Sequence, residues 1–241
     1  MEWVPSLDQL YCTNKKILVT SGASFTASTT QLNCAASWPG YVYDRCRFNR
    51  VVDLSYPGVG NEYIADSIVN YINQLDSLEY QNHLVVIMWS GLGWATDKIS
   101  NSTYTPCINN VSYQRKNNGI PSREDHQQDT ELSYQRIIAI SQFLKEKNIS
   151  YVFTYYANIL FPPCLPRNDL TCNFADYLSH QEIIKLQQLP WVPPNKRDYL
   201  YDYAFFNDYN VEYHPPVECN LKWTDNILLP SICEQGFITK L

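Results

Sequence analysis

Glycine is the scarce residue of this chain. There are 8 among 241 residues, about 3% against a usual share of roughly 7%. Long apolar runs are also missing. The longest wholly apolar stretch is Leu84 to Trp89, six residues, whereas a membrane span needs roughly 20, so no membrane partner is expected. Basic residues do not form a stripe. Lys and Arg number 18 against 24 Asp and Glu, for a formal charge of -6, which excludes the electrostatic footprint of a nucleic-acid binder. Only four histidines occur, none paired with a cysteine, and no C-x-x-C is present. Zinc-type ligand spacing is therefore absent, and neither a metal nor a cofactor is expected. The opening residues Met1-Glu2-Trp3-Val4-Pro5 carry an acid and no basic n-region, so no signal peptide is expected. The eight dispersed cysteines then read as free thiols of a reducing, cytoplasmic setting.

The chain contains enough apolar residues for a sizeable core: 45% are hydrophobic, with a mean hydropathy of -0.33. Four short runs read as buried strands: Ile17–Thr20, Val51–Leu54, Leu84–Trp89 and Tyr151–Tyr156. They are apolar or β-branched without strict alternation, as in a parallel sheet covered on both faces. Helical stretches fall between and after them. Asn61 to Leu75, with Asn61 as N-cap, places Ile64, Ile68, Ile72 and Leu75 on one face. Ser122 to Lys147 follows. Ser179 with Glu182 forms a capping box that opens a helix to about Leu189. Asp198–Phe206 and Leu221–Leu229 complete the set, the last stopped by Pro230. This alternation predicts a three-layer α/β/α sandwich with a central, mostly parallel sheet of about five strands. One domain over 1–241 is expected, with excursions at 97–119 and 161–196.

The glycines that remain are clustered. Gly22, the pair Gly58 and Gly60, and the pair Gly91 and Gly93 each follow an apolar run. All three places therefore fall at carboxyl ends of parallel strands, where open α/β sheets bind ligands. The first carries Ser24, a candidate nucleophile. The second offers the Gly60 N–H and Asn61, the third Ser90 and Gly91, as groups that can hold an oxyanion or a substrate. A serine nucleophile needs a base. His83 lies at the wrong edge of the sheet, and His126 and His180 lie in polar helix starts. His214, on a late loop with Glu212 two residues before it, fits a base and its orienter.

These motifs resemble the SGNH (GDSL) hydrolases. Gly22-Ala23-Ser24-Phe25 is similar to their Gly-Asp-Ser-Leu block, and Ser55 to Asn61 to their second block, whose glycine N–H serves the oxyanion hole. Glu212-Tyr213-His214-Pro215 is similar to their final Asp-x-x-His. More narrowly, the order resembles short SGNH-like proteins of phages and other viruses. Those carry Gly-Cys-Ser-Phe-Thr, Pro-Gly-x-Gly-Asn, a Trp-rich third block, a His-Pro, and a tail like Trp223-Thr-Asp-Asn-Ile-Leu-Leu-Pro230. The resemblance spans about Ile17 to Ile232 and implies an SGNH, flavodoxin-like sandwich. Three departures stand out. Ala23 replaces the frequent Asp. Trp89-Ser90-Gly91-Leu92 stands where the family has Gly-x-Asn-Asp. Val211, not Asp, lies three residues before His214.

The resemblance implies a serine esterase or O-acyl hydrolase. His214 would deprotonate Ser24, and Glu212, with Asp208 in reserve, would orient the imidazole. The N–H groups of Ser24 and Gly60, with Ser90 or Gly91, would bind the oxyanion. Nineteen tyrosines and six tryptophans suggest aromatic platforms for a sugar ring, with Trp89, Trp191 and Asn61 against the substrate and a glycan O-acetyl ester as the preferred ligand. The missing third-block Asn supports the alternative, a catalytically degenerate SGNH-like binding or virion-associated structural protein.

Overall fold

The computed structural model describes residues 11–24, 26–27, 37–57, 59–90, 97–99, 103–105, 123–155, 174, 177–192, 200 and 216–241, with the backbone alone at 97–99, 103–105 and 123–126. The strands in chain order are β1 (Tyr11–Cys12), β2 (Ile17–Gly22), β3 (Arg50–Asp53), β4 (His83–Trp89), β5 (Asp97–Ile99), β6 (Thr103–Thr105), β7 (Ser150–Tyr155) and β8 (Thr239–Lys240). The helices are α1 (Trp38–Cys46), α2 (Asn61–Ile72), α3 (Arg123–Glu146), α4 (His180–Gln187), α5 (Val217–Trp223) and α6 (Leu229–Glu234).

The central sheet is parallel, in the order β3-β2-β4-β7. The four expected strands are therefore present, each within a residue or two of its expected bounds. A parallel bridge between Phe153 and Trp191 starts a fifth position beyond β7. There the Phe153 N–H donates to the Pro190 carbonyl at 2.9 Å, and the Val192 N–H to the Phe153 carbonyl at 2.7 Å.

Strand parity divides the core. Val19, Val85, Ile87, Trp89, Tyr151, Phe153 and Tyr155 face one side, against Ile64, Ile68 and Ile72 of α2, Ile137, Ile140 and Leu144 of α3, and Leu186 of α4. Leu18, Leu84, Val86, Met88 and Val152 face the other, against Trp38 and Val42 of α1 and Trp223, Leu229 and Ile232 of α5 and α6. Successive side chains of a strand point to opposite faces, so a sheet covered on both sides needs apolar residues at every position. All seven residues of β4 are buried.

Helix ends follow local chemistry. Ser179 Oγ accepts the Glu182 N–H while Glu182 Oε2 accepts the Ser179 N–H at 2.8 Å, the expected capping box of α4. Three features differ from the sequence expectation. Gly60, not Asn61, is the N-cap of α2, and the helix ends at Ile72. Helix α1 was not anticipated; it starts after Ser37 with Pro39 in its first turn, where a missing N–H costs nothing. Pro230 does not stop the last helix. A π-helical turn, Thr224–Leu228, joins α5 to α6, and the Leu229 N–H reaches the Thr224 carbonyl. Pro230 then falls in the first turn of α6, a position proline tolerates. The expected helix 198–206, apart from Leu200, and about half of the excursion 161–196 lie outside the described residues; a short antiparallel pair, β5 with β6, lies in the excursion 97–119. Cys12, Cys46, Cys219 and Cys233 are free thiols. No helix among the described residues is long and apolar enough to cross a membrane.

Candidate active site

The strand order contains one reversal. The chain passes from β2 to β3 on one side, then crosses to β4 on the other. Such a switch point leaves a crevice outside the carboxyl ends of the two strands. Here those ends are Gly22 of β2 and Trp89 of β4; Ser90 follows Trp89 directly, and Ser24 follows Gly22 after one residue, Ala23.

Backbone hydrogen bonds shape the Ser24 turn. The Ala23 carbonyl accepts the N–H groups of both Thr26 and Ala27 at 2.9 Å, so the chain coils immediately after Gly22. The second turn is stitched to the first. The Leu54 N–H donates to the Thr20 carbonyl at 2.8 Å, and the Tyr56 N–H to the Gly22 carbonyl at 3.1 Å. Asp53 anchors the start of this loop: its Oδ1 accepts from Thr20 Oγ1 at 3.0 Å, the Ser55 N–H at 3.0 Å and Ser55 Oγ at 2.5 Å. The loop then buries Val59 and delivers Gly60 to the start of α2 in ordinary extended conformation, φ -94° and ψ 179°.

The third turn is held by Asn61. Its Oδ1 accepts the Ser90 N–H at 2.8 Å, and its Nδ2 donates to the Ser90 carbonyl at 3.2 Å and to Ser133 Oγ of α3 at 3.1 Å. Asn61 is 2% exposed and Ser90 4%. One buried amide thus ties the starts of α2 and β4's exit to α3. Beside it, Arg136 of α3 pairs with Glu62 of α2 at 3.5 Å. One helical turn before Ser133 stands Asp129, whose carboxyl is pushed up to about 6 by burial, with Arg136 pulling it down.

Several expected roles change. Asn61 was expected against the substrate, but every polar atom of its side chain is engaged by protein. The Ser90 backbone N–H, a candidate oxyanion donor, is committed to Asn61. Trp89 and Trp191 were expected to meet substrate, yet both pack in the core. The Trp89 ring meets Phe153 edge-on at 5.5 Å. Trp191 stacks on Tyr155 at 4.6 Å, and its Nε1 donates to the Leu186 carbonyl at 2.6 Å. Trp38 is likewise fully buried. Ser133 was not foreseen; in the sequence it is one polar residue among many on a polar helix.

Other placements agree with the sequence. His83 opens β4 at the amino edge, away from Ser24. It is fully buried, with Nδ1 2.8 Å from the Glu79 carbonyl and Nε2 3.2 Å from Tyr71 Oη, and burial lowers its pKa. His180 is exposed. Ser21, the other serine of this turn, is buried and bonded to Ser67 Oγ at 2.9 Å, whereas Ser24 is partly exposed. His214, Glu212, Asp208 and Gly91 lie outside the described residues, as do Gly58 and Trp94. Among the described residues no group of His, Cys, Asp and Glu side chains is arranged to hold a metal ion.

Comparison with solved structures finds this architecture elsewhere. TesA superposes with a TM-score of 0.50 at 13% identity, over 90% of this chain and 97% of that one. The psychrotrophic esterase EstA from Pseudoalteromonas sp., in a structure inhibited by monoethylphosphonate, gives 0.53 at 12% identity, over 92% and 98%. No family model matches the chain, and no curated protein sequence does. At these identities the likeness is one of fold, and it gives no support to a closer tie with the short viral proteins.

Proposed function

We propose that this chain is a serine ester hydrolase of the SGNH type, acting on small O-acyl esters. The observation that carries this reading is the meeting of three turns at the switch point. The Ser24 turn and the β3–α2 loop are bonded through the Gly22 carbonyl, and the α2 start and the β4 exit through Asn61. A fold shared with an esterase supports it.

In this reading His214 takes the Ser24 proton as the hydroxyl attacks the ester carbonyl, and Glu212 or Asp208 fixes the imidazole tautomer. The N–H groups of Ser24 and Gly60 receive the oxyanion. A third donor comes from the Ser90 hydroxyl or the Gly91 N–H, since the Ser90 N–H is engaged. His214 then gives its proton to the leaving alcohol, and water releases the acyl group from Ser24 by the same steps in reverse order. The whole chain, 1–241, acts as one domain. The four described thiols favour a reducing, cytoplasmic setting.

A carbohydrate O-acetyl ester remains the preferred substrate. Its support now rests on Tyr56 and Tyr63 rather than on tryptophans. Tyr56 is 50% exposed on the loop bonded to Gly22, with the Tyr63 ring 6.3 Å away. Such a face can stack on a sugar ring.

The test is turnover of a chromogenic acetate ester, with labelling by a serine-reactive phosphonate. Loss of both in Ser24→Ala, and loss of turnover in His214→Ala, is expected. Labelling at another residue, or undiminished turnover in either variant, overturns the reading. The second reading, a non-catalytic binding protein, is favoured by the absence of the third-block Asn, with the neighbouring Ser90 N–H committed to Asn61. It predicts no turnover in the parent.

A further inference from the structure

Asn61 bonds both backbone groups of a single residue. Its amide accepts from the Ser90 N–H and donates to the Ser90 carbonyl, the pairing a neighbouring strand would supply. The position explains why. The β2–β4 ladder ends at the pair Gly22 and Met88, and the β4–β7 ladder at Trp89 and Tyr155. Residue 90 is the first without a strand partner, yet it is buried, and a buried peptide group must find one. The amide orientation is fixed by this arrangement, because a flipped amide would set its NH₂ against the Ser90 N–H. The second Nδ2 proton is used by Ser133 Oγ at 3.1 Å. The amide therefore spends both donors, and it is anchored on α2 and α3 at once. Among the described residues the Ser90 hydroxyl, by contrast, has no hydrogen-bond partner.

We infer that Asn61 is a positioning residue that fixes the backbone of Ser90, so that the Ser90 hydroxyl serves as the third oxyanion donor in place of the absent side-chain amide. The inference rests on the ester-hydrolase reading. It assigns Asn61 away from substrate contact, and it makes Ser133 the anchor that keeps the amide from rotating.

The experiment is a double-mutant cycle on turnover of the chromogenic acetate ester, with stability measured in parallel. Losing one oxyanion donor costs about 10²–10³ in rate, so Ser90→Ala should lower kcat by about that factor with KM nearly unchanged. Asn61→Ala should lower kcat by a similar or smaller factor. The variant carrying both should be no slower than about the slower single, because the amide has no hydroxyl left to aim. Their effects on melting temperature should instead add. If Asn61→Ala does not fold, Ser133→Ala takes its place in the cycle, with Ser133→Thr expected to restore the parent kcat. Multiplying rate losses overturn the inference while leaving the hydrolase reading intact, and so does an Asn61→Ala loss confined to KM. A parent without Ser24-dependent turnover overturns both.

Discussion

Gly22→Ala tests the packing that sets Ser24 at the sheet edge. Gly22 is not among the positive-φ residues, so glycine is required there by close approach rather than by backbone conformation. A methyl group at this position would overlap Thr26 Oγ1 and lie 2.8 Å from Thr26 Cβ and 2.9 Å from the Met88 carbonyl oxygen. Ordinary carbon contacts sit at about 3.5–4.0 Å. The threonine oxygen can rotate away. The other two atoms cannot, since Cβ is fixed by its backbone and Met88 lies in a strand paired on both sides. Overpacking of this kind costs about 1–3 kcal/mol, and two immovable neighbours place the cost at about 2–3 kcal/mol. With a urea slope of about 2 kcal/mol per molar, the unfolding midpoint should fall by about 1 M at unchanged slope. Thr26 Oγ1 is buried without a hydrogen bond, so Thr26→Ala alone should be nearly neutral. Gly22→Ala should then cost nearly as much in the Thr26→Ala background as in the parent, because Cβ and the Met88 carbonyl stay in place, and less in a Thr26→Gly background, which removes that Cβ. Folded Gly22→Ala should also lose ester turnover by about 10²-fold, the cost of a displacement of about 1 Å at a reacting group. An unchanged midpoint, or an equal cost in the parent and Thr26→Gly backgrounds, would refute the steric argument.

Other perturbations test the core and its charges. Arg45 is buried and pairs with Asp225 of the π-helical turn at 3.0 Å, and Asp225 also accepts Tyr41 Oη at 2.6 Å; Asp225→Ala should cost about 3–5 kcal/mol by denaturant unfolding, because it removes the carboxylate that balances a buried guanidinium. Glu218→Gln, which breaks the exposed Lys222–Glu218 pair of α5, should change stability by less than about 1 kcal/mol in the same assay. Burial raises the Asp129 carboxyl from 3.8 to about 6, so the folded state holds this proton more tightly than the unfolded state. Its favourable contribution is complete below about pH 4 and is lost as pH rises through about 6. Asp129→Asn should therefore gain melting temperature over the parent between pH 4 and 7; an equal difference at both ends would exclude the burial effect. Trp191→Ala should cost about 3–5 kcal/mol through the emptied core yet leave the KM for the acetate ester unchanged, and a raised KM at full folding would return Trp191 to the substrate.

The four sheet strands could be read from sequence because each is a nearly continuous apolar run between polar segments, and burial on both faces demands that pattern. The missed elements involve residues whose usual meaning is reversed by position. Trp38-Pro39-Gly40 reads as a break, yet proline fits the first turn of α1 and Gly40 is buried there. Pro230 reads as a stop. The π-helical turn before it shifts the hydrogen-bond register by one residue and leaves the proline in a new first turn. Neither a local propensity nor a hydrophobic period encodes that shift. It is fixed by the burial of Trp223, Leu228 and Leu229 around it.

The candidate site divides in the same way. Ser24 and Gly60 could be singled out as candidates because each lies past the carboxyl end of a strand, at a cluster of scarce glycines. Asn61 was visible, but its role was not. A polar residue at a helix start ordinarily caps the helix or faces water. Only the place where the sheet ladders stop, two strands away, turns its amide inward, and no local pattern carries that information. Trp89 is different, since its burial was present in the sequence. It shares parity with Val85 and Ile87, and parity within a strand fixes the face. A tryptophan that continues an apolar face belongs to the layer behind it, whatever ligand lies beyond the strand end. Aromatic content therefore argues for a sugar platform only where parity or a loop frees the ring. By that criterion half-exposed Tyr56 qualifies and Trp89 does not.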